Sequence, residues 1–134
     1  MEKKKLGQWM LLAVVCLSFS VGEIYAQKHE FADFKRYAKE NATLAQPVKK
    51  EKRVVFMGNS ITEGWVRTHP DFFKTNGYIG RGISGQTSYQ FLLRFREDVI
   101  NLAPALVVIN AGTNDVAENT GPYNEDYTFG NIAS

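Results

Sequence analysis

The sequence predicts an α/β fold built on a parallel sheet, and three observations carry that prediction. The runs Val54-Val55-Phe56-Met57 and Ala105-Leu106-Val107-Val108-Ile109 are apolar without alternation. Strands read this way when helices cover both faces of a parallel sheet. Segments with helical periodicity lie between the apolar runs. Each strand, including a short one at Tyr78-Ile79, is followed by a polar loop containing glycine.

The elements follow in order. Phe31, Phe34, Tyr37 and Ala38 recur at helical spacing, so a short amphipathic helix or helix pair is expected before Pro47. Val54 to Met57 forms the first strand and breaks at Gly58-Asn59-Ser60, a tight turn. A helix is expected around Glu63 to Arg67, with His69 and Pro70 in a polar loop after it. Tyr78-Ile79 starts the second strand, which breaks into Gly80-Arg81-Gly82-Ile83-Ser84-Gly85. From Thr87 onward, Tyr89, Leu92, Leu93, Phe95 and Ile100 trace an apolar helical face, with Arg94, Arg96 and Glu97 expected outward. Pro104 ends that helix and the third strand follows. With only three strands, the third and most apolar would stand as an exposed edge. The expected architecture is therefore the N-terminal part of a larger domain, truncated after about three strands.

The chain before the first strand has two expected parts. Lys3, Lys4 and Lys5 precede an apolar stretch from Met10 to Val21, and Ala26/Gln27 offers a cleavage point. That pattern predicts a secretory signal peptide over residues 1–26, too short for a comfortable membrane span, and a secreted or periplasmic mature protein without stable membrane insertion. Residues 27–52 are expected to be a helical segment and linker, with the basic run Lys49 to Arg53 as a solvated strand entry. The sole cysteine, Cys16, falls in the signal, so no disulfide and no thiol nucleophile are expected. The formal charge is +2, and +1 after cleavage, which gives no electrostatic footprint for nucleic acid. No Cys/His cluster suggests a metal, and no cofactor is expected.

The chemistry resides in three loops. Gly58-Asn59-Ser60-Ile61-Thr62, Gly82-Ile83-Ser84-Gly85-Gln86-Thr87 and Gly112-Thr113-Asn114-Asp115 each follow one strand. In a parallel sheet such loops meet at the carboxyl edge, where ligands bind. Acyl transfer needs a nucleophile, donors for an oxyanion and a base. A serine, a glycine N–H and an asparagine amide at one edge could surround a single carbonyl. Ser60 is either that nucleophile or a helix cap, since Ser60 and Glu63 also spell a capping box. Trp65, Phe72, Phe73 and Tyr78 are either pocket lining or core.

The ordered blocks resemble the SGNH, or GDSL-like, hydrolases over roughly Arg53 to Asp115, covering three of that family's four sequence blocks. The resemblance implies a flavodoxin-like three-layer sheet, with residues 53–134 as the N-terminal part of the domain. It implies a serine ester hydrolase of the carboxylesterase, acetylesterase or lysophospholipase kind, acting on a small-molecule, glycan or lipid acyl ester. Ser60 would be the nucleophile. The Ser60 N–H, the Gly85 N–H and the Asn114 side chain would form the oxyanion hole. Asn59 departs from the family's usual Asp in the first block but keeps its hydrogen-bonding shape. The family's Asp-x-x-His block has no counterpart here. The two histidines, His29 and His69, do not match its position, so these 134 residues alone are expected to be inactive.

Two other functions stand beside this one. A catalytically dead SGNH-fold binding protein would also lack the base. Gly80, Gly82 and Gly85 spell G-x-G-x-x-G, the dinucleotide-binding fingerprint, but the preceding strand is short. No acid appears until Asp115, about ten residues later than that motif expects.

Overall fold

The computed structural model describes residues 30–48 and 51–134. The chain divides into two compact units, Met1–Asp33 and Phe34–Ser134. In the first, residues 30–33 form a helical turn; the expected signal peptide and His29 lie outside the described residues.

The second unit begins with α1 (Lys35–Thr43), whose Tyr37 is buried. Then come β1 (Val54–Gly58), α2 (Ser60–Thr68), α3 (Pro70–Asn76) and β2 (Ile79–Gly82). They are followed by α4 (Ser88–Asp98), a 3-10 turn (Ile100–Leu102), β3 (Leu106–Asn110), α5 (Thr113–Val116) and α6 (Glu125–Ala133). The sheet order is β2-β1-β3, and both pairings are parallel. The class is α/β, as the unalternating strands imply.

Side chains of β1 alternate between the two faces of the sheet. Val55 and Met57, both fully buried, pack with Phe91 of α4, Val99 and Leu102. Burying side chains of this size contributes about 1.5–3 kcal/mol each. On the opposite face Phe56 meets Trp65 of α2, Phe73 of α3 and Tyr78, with ring centroids 5.2–5.5 Å apart. Phe72 stacks on Trp65 at 5.3 Å. Phe56 and Phe73 are buried on this α2/α3 face, Tyr78 is half-buried, and Trp65 and Phe72 form its exposed rim. β3 closes one edge of the sheet, with Leu106 57% and Ile109 44% exposed, as a terminal third strand should be.

Four expectations need correction. His69 and Pro70 are not in a loop, because α3 starts at Pro70 directly after α2. Proline is suited to the first helical position, Asp71 favours the positive helix start, and Gly77 ends the helix at φ 65. These cap signals, and not periodicity, mark a seven-residue helix. Arg53 is not a solvated linker residue. It is buried, and its guanidinium donates to the Leu102 and Ala45 carbonyls, each at 2.7 Å, which latches the linker to the sheet. Lys49 and Lys50 lie outside the described residues. Arg94 does not point outward. It is fully buried with Phe91 and Asp98, whereas Tyr89 and Leu92 from the expected apolar face are 40% and 44% exposed. The physical reason is the ion pair with Asp98 one turn on, at 2.8 Å, which lets a charge occupy the buried stripe. Arg96 and Glu97 face outward as expected. The fourth is the cap before α2, which Asn59 and not Ser60 provides.

The G-x-G glycines serve packing. A Cβ on Gly80 would stand 2.3 Å from a methyl of Val66, and one on Gly82 would stand 2.3 Å from the backbone N of Glu63. α2 therefore lies directly across both strand residues. Among the three, only Gly85 has a positive φ, at 80°, and open space around its Cα.

The two contacts predict different mutational behaviour. Gly80→Ala should cost about 1–3 kcal/mol through overpacking. In a double-mutant cycle, Val66→Ala should recover part of that cost, because the obstacle is a side chain. Gly82→Ala should cost at least as much and should not be relieved by truncating any one side chain, because the obstacle is backbone. Urea unfolding of the four variants checks both statements. Full additivity of Gly80→Ala and Val66→Ala would contradict the first.

Candidate active site

The register pairs Gly58 with both Gly82 and Asn110, so the three strands end in line. Ser60 follows β1 by two residues, Gly85 follows β2 by three, and Asn114 follows β3 by four. All three therefore stand at the carboxyl edge of the sheet.

Ser60 is the first residue of α2 and is exposed. Its helix is capped by Asn59 and not by Ser60 itself. The buried Asn59 side chain accepts from the Ile61 N–H at 3.0 Å, and its carbonyl accepts from the Glu63 N–H at 3.0 Å. Asn59 thus supplies the acceptor that an aspartate would supply, and the Ser60 hydroxyl is released from capping. The capping box is found instead at Thr87 and Gln90, which start α4.

Glu63 binds the next loop. Its carboxylate accepts from the Ser84 N–H at 3.0 Å and from the Ser84 hydroxyl, and it pairs with Arg36 of α1 at 3.0 Å. The Ser84 hydroxyl bond, helped by the Arg36 bond, holds the Glu63 carboxyl below its usual range, against a partial-burial effect in the opposite sense. At the other side of the loop, the Asn114 amide donates to the Gln86 carbonyl at 2.8 Å, and Asn119 donates to the Gly85 carbonyl at 3.1 Å. Asp115, buried, accepts from the Ser88 N–H at 3.0 Å and from its hydroxyl, and so secures the start of α4.

Three donors remain for a ligand. Neither the Ser60 N–H nor the Gly85 N–H has a hydrogen-bond partner among the described residues. An asparagine amide has two N–H donors, and only one of Asn114's is used. A cavity of about 490 Å³ opens beside Ser60 and Ser84, with Arg36, Tyr37, Glu63 and Arg67 in its wall. The aromatic residues Trp65, Phe72, Phe73 and Tyr78 do not line it.

Beneath the loops lies a feature that reading charges as surface residues missed. The buried Arg94 guanidinium donates to the Gly58 carbonyl at 3.2 Å, the Arg81 carbonyl at 3.0 Å and the Gln86 side chain at 2.5 Å. Burial lowers its pKa, opposed by the bond to Asp98. Asp98 also accepts from Asn41 of α1 at 2.7 Å, and Asn41 accepts from Arg81 at 2.7 Å. Arg-x-x-x-Asp on the same stripe as Phe91 is the sequence signal that could have found the pair. No group of three or more potential metal-ligating side chains occurs among the described residues.

His69 caps the far end of α2, where its Nδ1 lies 2.8 Å from the Thr68 hydroxyl. The helix rise separates it from Ser60 by about 13 Å along the axis, beyond proton-transfer reach.

The fold defines the class: an α/β protein with a parallel sheet that carries a serine, a glycine N–H and an asparagine amide at its carboxyl edge. Residues 56–132 match the GDSL-like lipase/acylhydrolase family, and the chain belongs to that family. It is similar to the crystal structure of a GDSL-like lipase from Bacteroides thetaiotaomicron VPI-5482, at 93% identity and a TM-score of 0.76, over 77% of this chain and 50% of that one. A proposed acylhydrolase from Bacteroides fragilis NCTC 9343 is similar at 79% identity and a TM-score of 0.75, over 76% of this chain and 49% of that one. An acetyl xylan esterase is similar at 29% identity and a TM-score of 0.50, over 60% and 48%. The chain thus spans about half the length of these structures. No curated relative matches the chain.

The Glu63 link predicts a pH-dependent stability. A carboxyl whose folded pKa is depressed contributes stability above its unfolded pKa and loses it as pH falls through the folded value. Glu63→Gln should therefore lower stability at pH 7 by less than about 1 kcal/mol, since the group is partly exposed and screened. The gap from wild type should close toward pH 3. Urea midpoints at the two pH values measure this, and a gap unchanged at pH 3 would show that the charge plays no part.

Proposed function

We propose that the whole protein to which this chain contributes is an exported serine ester hydrolase acting through an acyl-enzyme on Ser60. The observation that carries the reading is the set of unused donors at one sheet edge: the Ser60 N–H, the Gly85 N–H and one N–H of Asn114. Preorganised donors aimed at a developing oxyanion are the largest contribution to this kind of catalysis.

In the proposed mechanism the Ser60 oxygen attacks the ester carbonyl, and its proton passes to a general base. The three donors hold the oxyanion of the tetrahedral intermediate. Collapse expels the alcohol, which takes the proton from the base, and leaves Ser60 acylated. Water, deprotonated by the same base, attacks the acyl-enzyme and releases the acid with Ser60 restored. His69 is too far along α2 to act, so the base is assigned to an Asp-x-x-His block of the whole protein. The SGNH resemblance supports that assignment. The signal-like residues 1–26 support export and put substrates outside the cytoplasm, such as acylated glycans or lipids. Similarity to an acetyl xylan esterase makes short acyl esters of glycans the first substrates to try.

The test is turnover of p-nitrophenyl acetate by the whole protein. Ser60→Ala should abolish it to within about 10³–10⁴-fold of the water rate. Asn114→Ala should lower kcat by about 10²–10³-fold. A Ser60→Ala variant as fast as wild type would end the hydrolase reading.

A further inference from the structure

We propose that Arg94 is a positioning residue for the ester hydrolysis, a proposal that rests on the reading just given. Its guanidinium touches none of the candidate catalytic groups. It holds the two backbones that carry them.

The geometry is specific. The Gly58 carbonyl is two residues before Ser60, and Arg94 donates to it at 3.2 Å. The Arg81 carbonyl belongs to β2, four residues before Gly85, and takes a second bond at 3.0 Å. The Gln86 side chain, next to Gly85, takes a third at 2.5 Å. Gln86 in turn offers its carbonyl to the Asn114 amide at 2.8 Å. One fully buried cation thus connects the backbone before Ser60, the backbone around Gly85 and, through Gln86, the Asn114 side chain. Asp98 compensates the charge at 2.8 Å and fixes the fork's rotation.

An arginine is required for this arrangement. A guanidinium is planar and presents five donors in fixed directions, whereas an ammonium is a compact point with three. Lysine can keep the charge against Asp98, but it cannot also reach carbonyls on two strands and a loop side chain. With the clamp lost, the Gly85 N–H and the Asn114 amide shift relative to Ser60. Misplacement on the order of 1 Å costs about 10²-fold in rate. Substrate affinity, set by the cavity beside Ser60, should change little.

The experiment uses the whole protein, with kcat and KM for p-nitrophenyl acetate and active sites counted by stoichiometric labelling of Ser60 with an organophosphonate. Arg94→Lys should lower kcat per labelled site by about 10²-fold. Its KM should stay within about threefold of wild type, because the cavity beside Ser60 is left in place. Gln86→Met leaves the Arg94–Asp98 pair in place and answers the question if Arg94→Lys does not fold. It should lower kcat about tenfold, and Gln86→Glu, which restores an acceptor to Arg94, should recover part of that loss. A purely structural role would lower the urea midpoint while leaving kcat per labelled site at the wild-type value, and that result in a folded variant overturns the proposal. Failure of the wild type itself to hydrolyse esters or take the label at Ser60 is a separate outcome, which overturns the hydrolase reading and the proposal with it.

Discussion

The ion pair of Arg94 and Asp98 is the constraint on which the rest of the second unit depends. Stripping a guanidinium and a carboxylate of water costs several kcal/mol per ion, and their attraction offsets this only when the remaining hydrogen-bonding capacity is used. Here it is used: Nε goes to Gln86, one terminal nitrogen to Asp98, and the other to the carbonyls of Gly58 and Arg81. Removing either ion alone would strand the other, at about 3–5 kcal/mol. The pair is thus a strong selector of geometry. Only one arrangement of β1, β2, α4 and the Gly85 loop brings all the acceptors to one place, and Asn41 extends the requirement to α1.

Against that polar centre, the two apolar faces work by shape. The Val55–Met57 face meets α4, and the Phe56 face meets α2 and α3 through edge-to-face aromatic contacts. Such ring pairs contribute about 0.5–1.5 kcal/mol beyond area burial and fix relative orientation. α2 is therefore held by its aromatic underside, by close approach to the glycines of β2 and by the Asn59 cap. The serine at its start inherits that fixity without taking part in it.

Much of this was legible in the residues. The unalternating run Val54 to Met57 ends at Gly58, and the run Ala105 to Ile109 begins after Pro104, so strand positions and the loops after them could be placed. The parallel arrangement then brought Ser60, Gly85 and Asn114 to one edge without reference to any side-chain contact. What could not be read was polar burial. Periodicity turns Arg94 outward and a basic run leaves Arg53 in solvent, yet both are inward because backbone acceptors outside their own segments await them: Gly58 and Arg81 for one, Leu102 and Ala45 for the other. Similarly, Ser60 and Glu63 match a capping pattern locally, but Ser84, twenty-one residues on, takes the Glu63 carboxylate. Short elements such as α3 have too few turns for a periodic signal and are written in caps.

The contact of Gly80 and Gly82 with α2 has an evolutionary consequence. At Gly82 the neighbour is the backbone of α2, so a side chain there displaces that helix and the serine at its start, whereas at Gly80 the neighbour is the Val66 side chain, which a second substitution can trim. Room for change therefore lies around Gly85 and in the cavity wall, at Gly80 only in step with Val66, and at Gly82 not at all. A glycine pattern that reads as a nucleotide-binding signature can thus be required by helix packing alone, because steric need and ligand chemistry spell the same letters.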